Sequence, residues 1–343
     1  MTKIIVPTGY MGSGSSAVGD LLREYDNINV DNKDFEYIFM HMPFGVFDFE
    51  DKLLLNNNAL RSDEAIKNFR KEMTDLYSLR GYWPGNYKKN VSKKYLELLE
   101  NYIENIKTSN FIGVWYYHEK YKGYKLYKRA IKNKIRKILK KPDKLDKFNI
   151  EYSFIKEEDF YRYTSKFILD FISLLNQNSN KKNIVLDQFI LPHNAYRIKK
   201  YQKYLDIKTI IVKRDPRDVF IMNKYVWTPK EVPVLYPLDV NEFCKYYKNM
   251  REAERKNIDC LYINFEDLVF YYDKTVSDIE KYLNLEKDNH KYKRRYFNPD
   301  ISIRNIKIYE NEMYKEEVKI IERELKDYLY ITDKKVILHD NAF

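Results

Sequence analysis

The stretch IIVPTGYMGSGSSAVGDLL, residues 4–22, decides the fold. Ile4 to Val6 is a short apolar run of the kind that forms a buried strand. Glycine and serine fill the positions after it, and Ala17, Val18, Leu21 and Leu22 then open a helical pattern. Strand, small-residue loop and helix is the layout of a phosphate cradle, because a helix N-terminus offers unpaired N–H groups and the positive end of its dipole to an anion. From Gly9, a triphosphate-binding loop would run glycine, four residues, glycine, lysine, then serine or threonine. Here Gly9 is followed by four residues, Gly14, Ser15 and Ser16. The loop has the spacing of an anion site but not its lysine.

Working outward, further short apolar runs stand at Ile184–Leu186, Thr209–Val212 and Cys260–Ile263, with a weaker one at Ile28–Val30. They fit buried strands of a mostly parallel sheet. Helical patterns lie between them, near Asn58–Leu79, Ser92–Lys107, Glu157–Leu175 and Val240–Lys256, and a last one near Glu310–Leu329 carries Val318, Ile321, Leu325 and Leu329. Alternating strands and helices predict a doubly wound α/β domain. Residues 51–180 show helical periodicity and few strand signals, and read as a helical insertion within one domain spanning 1–343.

Composition narrows the function classes. The chain has 343 residues, 44% of them hydrophobic and 33% charged, which is a globular balance. No apolar run is long enough to span a membrane. The first expected strand begins at Lys3, which leaves no room for a signal peptide. Two cysteines, Cys244 and Cys260, make neither a disulfide framework nor a metal quartet, and the five histidines show no metal-ligand spacing. A cytoplasmic protein without a metal is expected. The net charge of +11 is local: residues 120–147 hold thirteen Lys or Arg and two Asp, and the rest of the chain is neutral.

Two more stretches bear on chemistry. In DIKTIIVKRDPRDVF, residues 206–220, a strand ends at Arg214, Asp215 is a helix N-cap and Pro216 suits the first helical position. Arg214 then stands at the carboxyl end of a parallel strand, where open α/β sheets bind ligands. The alternative is a surface salt bridge between Arg214 and Asp215. In NFEDLVFYYDKTVSDIEKYLNL, residues 264–285, a strand ends in a turn, and Thr275 with Asp278 reads as a capping box before an amphipathic helix.

These pieces, in this order, resemble the sulfotransferases that use 3′-phosphoadenosine 5′-phosphosulfate. Met11 to Ala17 looks like their first phosphate loop, Lys213 to Val219 like their second motif, and Asn264 to Leu268 with the following helix like their late strand-turn-helix. The resemblance implies a P-loop-like three-layer α/β fold with a mostly parallel central sheet and a large helical insertion. It implies that Gly12, Ser13, Gly14, Ser15 and Ser16 hold the 5′-phosphate and that Arg214 holds the 3′-phosphate. The sequence departs from the family at three polar positions. Gly12 stands where the family has its catalytic lysine or arginine. Met222 stands where a serine follows the arginine by eight residues, with Asn223 beside it as the available donor. Gln188, in VLDQFILP, stands where a lysine often precedes a proline. The cation missing at Gly12 would come from Arg304 or Lys307 in SIRNIKIY.

On the acceptor side, the resemblance places the pocket near NVDNKDFEYIFMHMPFG, residues 29–45. Glu36, among Phe35, Tyr37 and Phe39, is the expected base, because an apolar setting raises a carboxyl pKa toward neutrality. His41 is second. Residues 120–147 place Tyr124, Tyr127, Ile131, Ile135 and Ile138 on one helical face among lysines and arginines, a pattern that suits an anionic membrane surface at the inner face or an anionic polymer. Nucleic acid is not expected, since the rest of the chain is neutral and carries no recognition motif. The expected activity is sulfuryl transfer to a hydroxyl or amine of a glycan or lipid-linked glycan, such as a bacterial surface polysaccharide. The rivals are a P-loop small-molecule kinase and a non-catalytic nucleotide-binding relative.

Overall fold

A computed structural model describes residues 2–30, 36–79, 85–115, 122–142, 146–176, 179, 181–230, 236–255 and 259–336. Phe35, and residues 120, 121 and 143–145 of the basic segment, lie outside them. The central sheet has five parallel strands: β1 (Lys3–Gly9), β2 (Ile28–Val30), β5 (Asn183–Val185), β6 (Asp206–Lys213) and β7 (Leu261–Asn264). Their order is β2-β5-β1-β6-β7. Thus β1 lies at the centre, paired with β5 from Lys3↔Asn183 and with β6 as far as Gly9↔Val212.

Side chains alternate across a strand, so each strand feeds two cores. Ile4, Val6, Ile184, Leu186, Ile207 and Ile211 face one buried cluster, and Ile5, Val185, Ile210, Val212 and Ile263 face the other. On the second face lie the helices Ser15–Arg23 and Tyr272–Leu283. On the first lie the helices Ala59–Ser78, Lys94–Ile106 and Glu157–Leu175. Three layers result, the α/β arrangement the strand–helix alternation calls for.

The helical layer is held by stacked aromatics. Phe39 meets Phe167, Phe171 and Phe189 edge-on at 5.2–5.8 Å, and Phe49 stacks on Phe69 at 4.6 Å. This layer shares one continuous cluster with the sheet face. It is not wholly helical. β3 (Ser109–Gly113) and β4 (Phe148–Tyr152) pair antiparallel, with the basic helix Tyr124–Ile138 between them in the chain. The polar side chains of Ser109, Asn110 and Asn149 hide this ribbon from an apolar-run search.

Two local expectations change. Thr275 and Asp278 make no capping box, because the helix already starts at Tyr272; Thr275 Oγ1 instead donates to the Asp267 carbonyl (2.9 Å). The last helix is shorter, Lys315–Glu324, with tight turns before and after it, although Val318, Ile321 and Leu325 are buried as expected. Both cysteines are free and buried.

Phe171 is fully buried and touches Phe39, Tyr87 and Tyr95. Phe171→Ala should destabilise the protein by about 3–5 kcal/mol, from lost transfer energy and the cavity left behind. Denaturant unfolding checks it: the midpoint should fall with little change in slope.

Candidate functional site

A cleft of about 1270 Å³ opens at the carboxyl ends of the central strands. Its floor is the loop between β1 and the helix Ser15–Arg23. Gly12 and Gly14 both have positive φ, +78° and +88°, so the backbone turns there in a way side chains with a Cβ resist. The space beside each is also taken. A Cβ on Gly12 would lie 2.7 Å from the Trp227 ring, and one on Gly14 would lie 2.5 Å from the Phe265 ring. A lysine at Gly12 would therefore need the Trp227 ring to shift.

Two of the loop's carbonyls are already engaged by cleft residues. Tyr236 donates its hydroxyl to the Met11 carbonyl (3.0 Å), and Arg214 Nη1 donates to the Gly12 carbonyl (3.0 Å). The first helical turn leaves the N–H groups of Ser15 and Ser16 without intrahelical acceptors. Ser15 is buried and Ser16 exposed; Ser13 is buried, and its hydroxyl has no hydrogen-bond partner. Gly12, Gly14, Ser15 and Ser16 line the cleft.

Arg214, at the end of β6, also lines it and is 7% exposed. Besides Gly12 it reaches the Asn305 carbonyl through Nη2, and its guanidinium lies 5.1 Å from the Phe265 ring centre. Its Nε is buried without a partner. Asp215 does not pair with it. Asp215 caps the next helix by accepting from Arg217 N (2.8 Å) and holds the Arg217 side chain (2.7 Å). Arg214 is thus left to the loop and the cleft.

The expected cations are not the ones in place. Arg304 is exposed and does not line the cleft, and Lys307 pairs with Glu310 (3.0 Å) at a separate hollow. A tight turn at Ile303–Asn305 presents the Asn305 carbonyl inward to Arg214 and leaves Arg304 outside. Asn223 does not enter the cleft either. It is fully buried, and its Nδ2 donates to the Tyr236 carbonyl (3.2 Å), which steadies the residue bonded to the loop.

Arg294 and Arg295 line the cleft instead. Arg294 has a long contact to Asp300 (3.3 Å), whereas no carboxylate among the described residues pairs with Arg295. Both ride on a segment pinned by Glu24, at the end of the first helix. Glu24 is wholly buried; one oxygen accepts from Tyr296 N and Phe297 N (both 3.0 Å), and the other meets His290 Nε2 (2.7 Å). Burial works to raise its carboxyl, but the hydrogen bonds from His290, Phe297 and Tyr296 outweigh this and hold it below the usual value. No motif in KYKRRYFNP, residues 291–299, singled it out in the sequence; the contacts with Glu24 hold it beside the cleft.

Glu36, His41, Gln188 and His193 form another wall. Burial raises the Glu36 carboxyl and lowers the His41 imidazole. His41 Nε2 lies 3.1 Å from the Gln188 carbonyl, which can only accept, so in the neutral ring Nδ1 is left as the acceptor. Asp187 was missed by the sequence reading. It follows β5, and burial with the nearby charge of Glu36 and of Asp20 pushes its carboxyl up to about 7. Asp20, on the cleft, is also raised by burial. Carboxyls with elevated pKa beside an anion-binding loop are suited to accept a proton at neutral pH.

No protein-family model matches the chain, and no curated protein matches it in sequence. Among solved structures, the sulfotransferase domain of the Synechococcus PCC 7002 olefin synthase is 12% identical, over 87% of this chain and 78% of that one, with a TM-score of 0.37. Sulfotransferase STF9 from Mycobacterium avium is 10% identical over 98% of this chain and 78% of that one, also at 0.37. The sulfotransferase domain from the curacin biosynthetic pathway is 11% identical over 84% and 76%, at 0.34. All three are sulfotransferases by description.

Gly12→Lys should destabilise the protein by at least about 1–2 kcal/mol, the usual penalty for a side chain at a left-handed backbone position. The same change in a Trp227→Ala background should cost less, because the ring is gone. A double-mutant cycle by denaturant unfolding reads this coupling.

Proposed function

We propose that this protein is a sulfotransferase that uses 3′-phosphoadenosine 5′-phosphosulfate and moves a sulfuryl group onto a hydroxyl or amine of a carbohydrate. The observation that carries the reading is one cleft holding a glycine–serine loop at a helix N-terminus, the strand-end Arg214, Arg295 without a carboxylate partner among the described residues, and the raised carboxyl of Glu36. A triphosphate site depends on a loop lysine and a magnesium ion to balance the charge that develops during transfer. Here Ser15 stands where that lysine would be.

The residues present fit the co-substrate. Arg214 Nε is a buried polar atom without a partner on the cleft, and Trp227 and Phe265 offer flat apolar faces there; Ser13, expected in the site, does not line the cleft, because its hydroxyl packs against Gly9. Bound in the cleft, the nucleotide would supply the sulfuryl group and a phosphate leaving group. The loop N–H groups and serine hydroxyls bind a 5′-phosphate, and Arg214 a 3′-phosphate. Arg295 supplies the positive charge that the family's loop lysine provides elsewhere. Glu36 takes the proton from the acceptor as its oxygen or nitrogen bonds to sulfur; His41 Nδ1 is the alternative acceptor of that proton. Tyr246 and Tyr296, partly exposed on the cleft wall, suit stacking against a sugar ring. Free, buried cysteines fit a reducing compartment, and we place the protein on the cytoplasmic side.

Calorimetric titration with adenosine 3′,5′-bisphosphate and with ATP tests the reading. The bisphosphate should bind equally with magnesium or EDTA, and ATP poorly under both conditions. Arg214→Ala and Arg295→Ala should each weaken the bisphosphate about ten- to a hundredfold, the scale of a lost charge-assisted bond. Tight, magnesium-dependent ATP binding with phosphate release would establish the kinase reading instead.

Turnover, followed with radiolabelled co-substrate on a panel of oligosaccharides, should rise with pH through a pKa above the ordinary carboxylate range, because Glu36 acts only when deprotonated. Glu36→Gln should remove that limb and cut the rate by about 10²–10⁴, leaving bisphosphate affinity unchanged. If His41→Ala produces this result and Glu36→Gln does not, the base is His41.

A further inference from the structure

The basic helix Tyr124–Ile138 contributes nothing to the cleft. It is the excursion between β3 and β4, whose ladder runs from Ser109↔Tyr152 to Gly113↔Phe148 and so brings the two ends of the excursion together. The ribbon is fastened to the body at its base. Arg70 grips both oxygens of Glu151 (2.7 and 2.9 Å), and Asp63 accepts from Glu151 N (2.9 Å). Beyond that anchor, no residue of the helix is buried.

Its apolar side chains stand in solvent. Tyr124, Tyr127, Ile131, Ile135 and Ile138 are between 52% and 77% exposed. Steps of three and four residues put all five on one stripe. A single exposed apolar residue needs no explanation, whereas a contiguous row of five does. Phe111 and Ile112, on β3 of the same excursion, add exposed apolar surface. Around the stripe the helix is cationic. Arg129 and Lys132 share Asp146 at 3.6 and 3.8 Å, while no carboxylate among the described residues pairs with Lys125, Lys128, Lys134 or Lys137.

We propose that this helix lies in the headgroup layer of an acidic lipid bilayer, with the tyrosine–isoleucine stripe toward the acyl chains and the lysines and arginines on the lipid phosphates. Both halves of the surface are then used: apolar burial for the stripe and attraction to negative lipid for the cations. A soluble polyanion would engage the cations and leave the stripe in water. A second copy would bring two strongly positive helices together. Among the described residues no helix is long and apolar enough to cross a membrane, so the contact is peripheral. The anchor at Glu151 would hold the body of the protein at the bilayer surface. This inference is independent of the sulfotransferase reading.

The test is co-sedimentation of the full chain with vesicles of phosphatidylcholine, alone or mixed with phosphatidylglycerol. The chain should pellet with the acidic vesicles only, and less as salt is raised. I131S/I135S should lower the binding constant by about tenfold or more, and K128E/K134E by at least as much. Both variants should keep the native circular dichroism spectrum, since none of these side chains is buried. No sedimentation, or equal sedimentation with neutral vesicles, overturns the proposal. Binding that I131S/I135S leaves unchanged also overturns it, and with retention on heparin or single-stranded DNA assigns the surface to a soluble polyanion. A dimer in light scattering that I131S/I135S dissociates assigns the stripe to a second copy.

Discussion

The site depends on the left-handed turn of the loop after the central strand. Gly12 and Gly14 take positive φ, and the rings of Trp227 and Phe265 fill the places where their side chains would begin. That single constraint keeps bulk off the floor of the cleft. Once the turn is made, Tyr236 and Arg214 hold the carbonyls of Met11 and Gly12. Ser13 N–H closes the loop onto the Tyr10 carbonyl, and the N–H groups of Ser15 and Ser16 at the helix start have no intrahelical acceptor, an end of a helix that favours an anion.

The arginines on the cleft wall are carried by a segment tied to the first helix. Glu24 leaves the far end of the same helix that begins at the loop, and its buried carboxylate fixes the backbone of Tyr296 and Phe297. Arg294 and Arg295 follow from that fixation. A buried carboxylate is tolerated only when its oxygens are matched by donors, and His290 completes the set. The helix Ser15–Arg23 therefore bears on the cleft at both ends: its N-terminus lines it, and the residue after its C-terminus holds the segment that carries the arginines.

The molecule divides its charge by location. Within the body, carboxylates and cations are matched closely, as in Arg217 with Asp215 and Glu322. The excursion between β3 and β4 keeps its cations largely unmatched and its apolar stripe uncovered. A sheet ladder at its base isolates that surface from the core, so it can meet a partner without disturbing the cleft.

Much of the architecture was legible in the chain. The five parallel strands overlap the apolar runs, because strands covered on both faces of a sheet are rich in apolar residues. The glycine–serine loop, Arg214 at a strand end and the cap at Asp215 follow from local rules of backbone and helix termini, and the structure places Glu36 and His41 on the same cleft. What the sequence could not decide were the pairings between distant residues. Arg304, Lys307 and Asn223 looked as suitable as Arg295, and nothing near Asp187 marked it. Their roles depend on which side of a turn faces inward and on which buried carboxyls come close together. Those outcomes are set by contacts across more than two hundred residues, such as Glu24 with Tyr296, and by the reach of Trp227 to Gly12. Local pattern specifies an element; only packing specifies which of its side chains arrives at the site.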